Sequence, residues 1–421
     1  MLRLLMTLCL LPLALLMSPS ADATVEEEEY VMHVVERLAS PAVRGRKMGT
    51  FGSRLAANYI ADELMRFGVL PLSGQSTPAT RQDYFHYFRV DDGDDISAIG
   101  RNIIGWVPGT MSADRAQGCF IVTAHYDHLG TVRAEDGRWA YFPGANDNAS
   151  GVAAVLALAR RCTLLGQRLP YPTVFILFDG EEKGLLGAEA LVANPPVALE
   201  HAFNLNCDMV GSLKERKLLV AYAAESDEVS AHALWGEMKR LAEDAGLELE
   251  YMRRGWEASD QYVFYKNDVP FVFMFGGMVK NWDRITDTPS LLDYSSLSSV
   301  VAFTWSVLNG IGSPAEFRRI DLHSSGGGAG KRTSFLGIIP DFGVIVEHGV
   351  PVAGAVPGSP AEEAGLREGD IVLEINGVDM ADLKALADIL TVLVAGQKVE
   401  IVFLRNGQKM QAETTADPPR E

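Results

Sequence analysis

Five short apolar runs rich in β-branched and aromatic residues, at 102–107, 120–124, 174–178, 203–206 and 271–275, alternate with stretches of helical periodicity at 150–161, 185–193, 228–245 and 292–310. No other feature of the chain restricts its fold as much. Strands separated by helix-length connections pair in parallel, and the helices cover both faces of the sheet. The expected class is therefore α/β, with a mostly parallel central sheet. Two amphipathic stretches precede it, marked by Val31, Val34, Val35 and Leu38 and by Leu55, Ala56, Tyr59, Ile60 and Leu64. In open sheets of this kind functional groups gather outside the carboxyl ends of the strands. Here the runs deliver acids and histidine to those ends: His125-Tyr-Asp127-His128 after the second, Asp179-Gly-Glu181-Glu182 after the third and Asp208 after the fourth. Carboxylates are costly to gather unless a cation neutralises them, so a metal site is predicted there.

The 421 residues suffice for one large domain and a small one. A formal charge of −18 argues against nucleic acid or an anionic membrane as the main partner, since both bind through clustered Lys and Arg. Residues 1–23 read as a signal peptide, with Arg3, an apolar run over 4–17 and the small-x-small site Ala21-Asp22-Ala23. That run is shorter than the roughly 20 residues a spanning helix needs. Export to the periplasm or outside the cell is expected, without stable membrane insertion once the leader is removed. Cys119, Cys162 and Cys207 are too few and too scattered for a disulfide framework and take no catalytic role.

A large domain over 24–322 is followed by a Gly/Ser linker at 323–331 and a small β-rich domain over 332–415. Lys331 does not complete a phosphate loop, because Ser325 stands where its first glycine belongs and Arg332 where Ser or Thr belongs. The tail carries β-type runs at 344–346, 371–375 and 399–404, a helical stretch at 383–393, and turns at Pro357-Gly358 and Asn376-Gly377.

His125 and Asp127 alternate at a strand end and so point the same way, which lets one bind metal while the other orients it. Asp147, in a loop of small residues entering the helix at Ser150, is suited to bridge two cations; its plainer reading is a helix cap, which Asn148 or Ser150 could equally supply. Glu181 and Glu182 diverge after a buried strand, so one is suited to hold metal and the other to act as general base. Asp208 completes the set. His128 reads as a solvated or supporting histidine and Asp179 as a turn residue, so neither is counted among the ligands. Asn148-Ala149-Ser150 matches a glycosylation sequon in a site-lining loop, a poor acceptor.

The order His125-x-Asp127, Gly-Ala-x-Asp147-Asn-Ala-Ser-Gly, Glu181-Glu182-x-Gly-Leu-Leu-Gly, Asp208-Met-x-Gly and Asp287-Thr-Pro resembles the co-catalytic zinc aminopeptidases of peptidase family M28, over about 27–312. The resemblance implies a phosphorylase/hydrolase-like α/β/α sandwich and two zinc ions. One would be held by His125, Asp147 and Asp208, the other by Asp147, Glu182 and a late histidine, with Glu181 as base and Asp127 in support. Asp283 stands on the position of that histidine, and Gln261 where family members often carry another. Asp283 as ligand would add an anion and shift preference toward harder metals such as manganese. The tail is similar to a PDZ domain: Phe335, Leu336, Gly337 and Ile338 resemble the loop whose backbone N–H groups capture a peptide carboxylate.

The expected activity is an exported metal-dependent exopeptidase acting on peptides, an aminopeptidase in type, with a peptide or protein C-terminus as partner of the PDZ groove. Two rivals remain. Asp179-Gly-Glu-Glu also resembles the related glutaminyl cyclases, acyltransferases using one zinc. A peptidase-like binding protein working through its PDZ domain is the other.

Overall fold

The computed structural model describes residues 21–418, except 73–78, 91–97, 113–116, 134–136, 253–254, 323–333, 342–345, 347, 357, 381–384, 387–388 and 391–392. The leader through residue 20 and the linker at 323–331 therefore lie outside the described residues. The first ten strands are β1 (Phe85–Val90), β2 (Ala98–Val107), β3 (Cys119–His125), β4 (Thr131–Arg133), β5 (Trp139–Tyr141), β6 (Thr173–Phe178), β7 (Ala202–Asp208), β8 (Lys217–Ala223), β9 (Glu248–Tyr251) and β10 (Phe271–Phe275). β4 and β5 form a separate hairpin. The other eight build one sheet in the order β1-β2-β6-β3-β7-β10-β8-β9. Its centre, β6-β3-β7-β10, is parallel throughout, while β1, β2 and β8 join antiparallel. Four adjacent strands thus send their carboxyl ends to one edge of the sheet.

All six residues of β6 and six of the seven in β3 are buried, as expected of parallel strands covered on both faces. Their side chains divide by alternation. Phe120, Val122, Phe175 and Leu177 share a core with helices α1 (Ala21–Leu38), α2 (Phe51–Phe67), α3 (Gly151–Thr163), α5 (Ala231–Asp244) and α7 (Tyr294–Gly310). Ile121, Ile176 and Phe178 face α4 (Leu186–Ala193) and α6 (Gln261–Lys266), through Ala188, Leu191, Val263 and Phe264. Each such aliphatic or phenyl side chain contributes about 1.5–3 kcal/mol relative to exposure, so the sheet centre is the most strongly determined part of the molecule. Local signals set the helix ends: Thr50, Ser230 and Asp293 each accept a backbone N–H of the first turn of α2, α5 and α7. No described helix is long and apolar enough to cross a membrane.

All five expected strands are present in the eight-stranded sheet, but its other three, β1, β8 and β9, were not anticipated. β1 and β9 are sheet edges with mixed exposure, and none of the three ends in a ligand-type residue that would draw attention to it.

The second unit is an antiparallel sheet of β11 (Ile338–Pro340), β12 (Val350–Ala355), β13 (Ile371–Ile375), β14 (Val378–Asp379), β15 (Lys398–Arg405) and β16 (Gln408–Thr415), ordered β11-β12-β13-β15-β16 with β14 on β13. Leu336, Val352, Ile375, Ile401 and Phe403 fill its core. Of the run at 344–346, only residue 346 is described, and the stretch at 383–393 is described only in part, with 385–386 and 389–390 helical.

Candidate metal centre

His125 and Asp208 are the last residues of β3 and β7, which lie side by side. Their side chains therefore inherit the stiffness of the sheet. His125 Nε2 stands 3.5 Å from Asp208 Oδ1, 3.3 Å from Asp147 Oδ1 and 3.9 Å from Glu181 Oε2. On the other side of the ring, Nδ1 lies 3.7 Å from Asp127 Oδ1, and that oxygen also accepts the Glu181 backbone N–H at 3.1 Å. Asp127 thus sits behind both the histidine and the glutamate.

Asp147 reaches the same point from a loop, Ala145–Ser150, whose shape is fixed by partners far away in sequence. The Asn146 N–H donates to both oxygens of Asp287, at 3.0 Å each, and the Asp147 N–H to Oδ2 at 3.1 Å. Asn148 is fully buried: its Nδ2 donates to Cys207 O at 3.0 Å, and its Oδ1 accepts from Gly151 and Met209. That amide is consequently no glycan acceptor, and it rather than Ser150 meets the first turn of α3.

Beneath the loop lies Arg46, wholly buried, donating to the carbonyls of Leu38, Tyr126, Pro143, Gly144 and Asp147 at 2.6–3.3 Å. Burial lowers its guanidinium to about 10, opposed by Asp147 and Asp287, so it stays charged at neutral pH. Sequence reasoning missed Arg46, because nothing near it announces that its five acceptors come from segments up to a hundred residues away.

Glu181 and Glu182 occupy a short helical turn after β6, between Gly180 (φ 78°) and Gly184 (φ 96°), conformations that glycine adopts without strain. Asp283 approaches from the segment after β10 and has φ 53°. One ligand-type atom from each of His125, Asp147 and Asp208 lies within 4.8 Å of the others, and the same holds for His128, Asp147, Glu182 and Asp283. All seven expected site residues are brought together. His128 joins them, although the sequence reading had set it aside; the signal it offered was a second imidazole three residues from the first. Asp179 instead accepts the Arg101 N–H at 3.0 Å, and Ser53 Oγ lies 3.4 Å from each of its oxygens.

The electrostatics fit a bound cation. Burial alone would make His125 harder to protonate, yet Glu181, Asp208 and Asp127 outweigh it and push its pKa well up. Burial raises Glu181 and Glu182 well above the usual carboxylate range, with neighbouring acids adding to the effect. Asp147 shows the converse: burial pushes it up, but His125 and His128 beside it prevail and hold it near 2. Asp208 Oδ1, Asp283 Oδ1, His125 Nδ1 and His128 Nε2 are buried with no hydrogen-bond partner among the described residues. Orphaned atoms of this kind are rare in folded proteins, and a cluster of them among carboxylates and imidazoles suits zinc, which takes nitrogen and oxygen donors.

Two buried residues behind the site were also missed or differ from expectation. Asp260 is fully buried, neither of its oxygens has a partner among the described residues, and burial raises it to about 8. Gln261, at the position noted for its missing histidine, accepts from Asn206 Nδ2 at 2.7 Å and donates to Trp256 O, and so serves the sheet.

In the β-rich unit, Gly337 has φ 76°, and a Cβ there would meet Ser359 at 2.2 Å. The Phe335 N–H donates to Asp417 O at 2.8 Å, so of the four expected carboxylate-loop residues Phe335 has its amide committed within the domain.

The fold and the centre together define an α/β/α domain that gathers histidine and carboxylates, in groups able to hold a metal ion, near the carboxyl ends of four parallel strands. Residues 102–308 match the model of Peptidase family M28, and 352–405 that of a PDZ domain; the chain carries an M28 peptidase domain followed by a PDZ domain. It is similar to a protein of Leptosphaeria maculans named "Probable zinc metalloprotease" (37% identity over 115 residues, 26% of this chain and 24% of that one). It is also similar to leucine aminopeptidase 1 of Trichophyton rubrum (32% over 139 residues, 31% and 35%). The chain spans a quarter to a third of the length of these relatives, at 24% and 35%. Among solved structures, its fold is like that of a Zn-dependent exopeptidase of Parabacteroides distasonis (19% identity, TM-score 0.51, 68% and 98% covered). The fold is likewise similar to that of a glutaminyl cyclase of Bacteroides thetaiotaomicron (21%, 0.50, 68% and 97%).

Proposed function

We propose that this chain is an exported metal-dependent exopeptidase, specifically an aminopeptidase, with a two-zinc centre and Glu181 as general base. The observation that carries the reading is the convergence of His125, Asp147, Asp208, Glu181 and Glu182 at one end of the parallel strands. His125, Asp147 and Asp208 would hold one ion; Asp147, Glu182 and Asp283 would hold the second. When bound, such ions polarise a substrate carbonyl and acidify water. Glu181 takes the proton from the attacking water and returns it to the leaving amine. Its burial raises its proton affinity above that of an ordinary carboxylate, which suits a group that takes a proton from water. Asp127 keeps Glu181 and His125 in fixed relation by accepting the Glu181 N–H.

The charge balance favours an amino terminus as the group recognised. When all are ionised, as Glu181 must be to take a proton, the carboxylates of Asp147, Glu181, Glu182, Asp208 and Asp283 carry one more negative charge than two dications supply, and that surplus attracts an ammonium and repels a carboxylate. The name of the Trichophyton relative points the same way. The test is a panel of aminoacyl substrates and short peptides, with free and with acetylated amino termini. Cleavage confined to free termini is expected; equal cleavage of both, or release from the carboxyl end, would refute the aminopeptidase assignment. The leader at 1–23 is likewise proposed to direct export, which sequencing the amino terminus of the mature protein checks. The PDZ unit would take a peptide C-terminus.

One observation favours the glutaminyl-cyclase-like alternative. Trp282 Nε1–H donates to Asp147 Oδ2 at 3.0 Å, the oxygen a bridging carboxylate would turn to a second ion. A carboxylate oxygen has two lone pairs, so indole and metal can share it. A single bound zinc together with cyclisation of an N-terminal glutamine would decide for the alternative.

A further inference from the structure

With aspartate on the late histidine's position, the second metal position would be left with carboxylates alone, Asp147, Glu182 and Asp283. Yet an imidazole is already there. His128 is buried, and its Nδ1 lies 2.6 Å from Glu182 Oε1, while Nε2 has no partner among the described residues. The ring is also wedged. Phe142 meets it edge-on, with centroids 6.4 Å apart and planes at 82°. At Gly144 a Cβ would come within 2.4 Å of His128 Cδ2, so only glycine leaves room for the imidazole. Both belong to the segment leading into Asp147, so the loop that carries the shared carboxylate also packs the histidine.

We propose that His128 supplies the nitrogen ligand of the second metal position, in place of the histidine that Asp283 displaces. This rests on the two-ion reading above. One atom each from His128, Asp147, Glu182 and Asp283 falls within a 4.8 Å span, giving a four-donor set of one nitrogen and three oxygens. Zinc takes four donors, among which imidazole and carboxylate are usual. The consequence reverses an expectation drawn from Asp283 alone: the second position keeps an imidazole, and with it a preference for zinc over harder metals such as manganese.

Zinc stoichiometry after dialysis, zinc affinity by chelator competition, and X-ray absorption at saturating zinc test the proposal on the full chain. In the wild type two zinc ions and an average of one imidazole per zinc are expected. H128Q should keep one tight zinc, which also shows that it is folded. Its second ion should weaken by more than the roughly 10–100-fold that loss of an orienting neighbour causes, with the imidazole average at saturation halved. D283H added to H128Q should restore the average. Two equally tight ions in H128Q would overturn the proposal. So would a weakened second ion with the imidazole average unchanged from wild type, which would make His128 a hydrogen-bond partner of Glu182. A wild type that binds a single zinc would instead remove the two-ion reading on which the proposal rests, and the proposal with it.

Discussion

The two halves of the centre are built differently. His125 and Asp208 are terminal residues of neighbouring buried strands, at 2% and 8% exposure, and their positions follow from the sheet. Glu182 and Asp283 hang from loops, one between two glycines of positive φ and the other on a segment whose residues 284–286 are exposed. A sheet can fix side chains by register alone, whereas side chains carried on loops need dedicated struts. Asp147 belongs to both halves, and its loop is strutted by Arg46 from below and Asp287 from the side.

Removing the strut common to both halves should have the largest effect. Arg46→Met removes the guanidinium from five buried carbonyls, of which Gly144 O keeps the Ala149 N–H, and leaves Asp147 and Asp287 without their cation, so a loss of about 3–5 kcal/mol in denaturant stability is expected. Zinc should be lost at both positions; unchanged stability would show that the loop stands without it. Asp208→Asn should strike only the strand-built half, weakening one ion by more than about a hundredfold while the chain unfolds at the wild-type denaturant concentration. Chelator competition resolving both ions checks this. Asp287→Asn, which takes a carboxylate from two backbone N–H groups, should weaken both ions about 10–100-fold, since Asp147 is shared. The smallest change belongs to Asp283→Ala: a weakening of the second ion alone, with His128, Asp147 and Glu182 left as donors. Two ions held as tightly as in wild type would exclude Asp283 as a ligand.

The same contrast explains what the sequence revealed. The strand-end candidates His125 and Asp208 were legible because a buried parallel strand is a continuous apolar run, and an acid or histidine at its end is conspicuous. Asp147, Glu181 and Glu182 were legible as motifs, since glycines and small residues flank them. His128 was read as support because its meaning depends on Glu182, 54 residues away, and on the space Gly144 leaves. Arg46 and the role of Asp287 were hidden for a similar reason, as all their partners but the nearby Leu38 O are backbone groups 80 to 141 residues distant. Asp260 was passed over although the adjoining Gln261 drew comment, because a lone acid gives no sign in sequence that it will be buried unpartnered. Periodicity reports local burial; it carries no record of which carbonyls a side chain will meet.

In the proposed mechanism Glu181 moves protons and does not hold metal. Glu181→Gln keeps the size and polarity of the side chain and removes only its basicity, so zinc content and hydrolysis of a free-amino-terminal aminoacyl substrate should be measured on one preparation. Wild-type zinc and hydrolysis reduced by about 10²–10⁴-fold are expected. Hydrolysis near the wild-type rate with the zinc intact would contradict this mechanism.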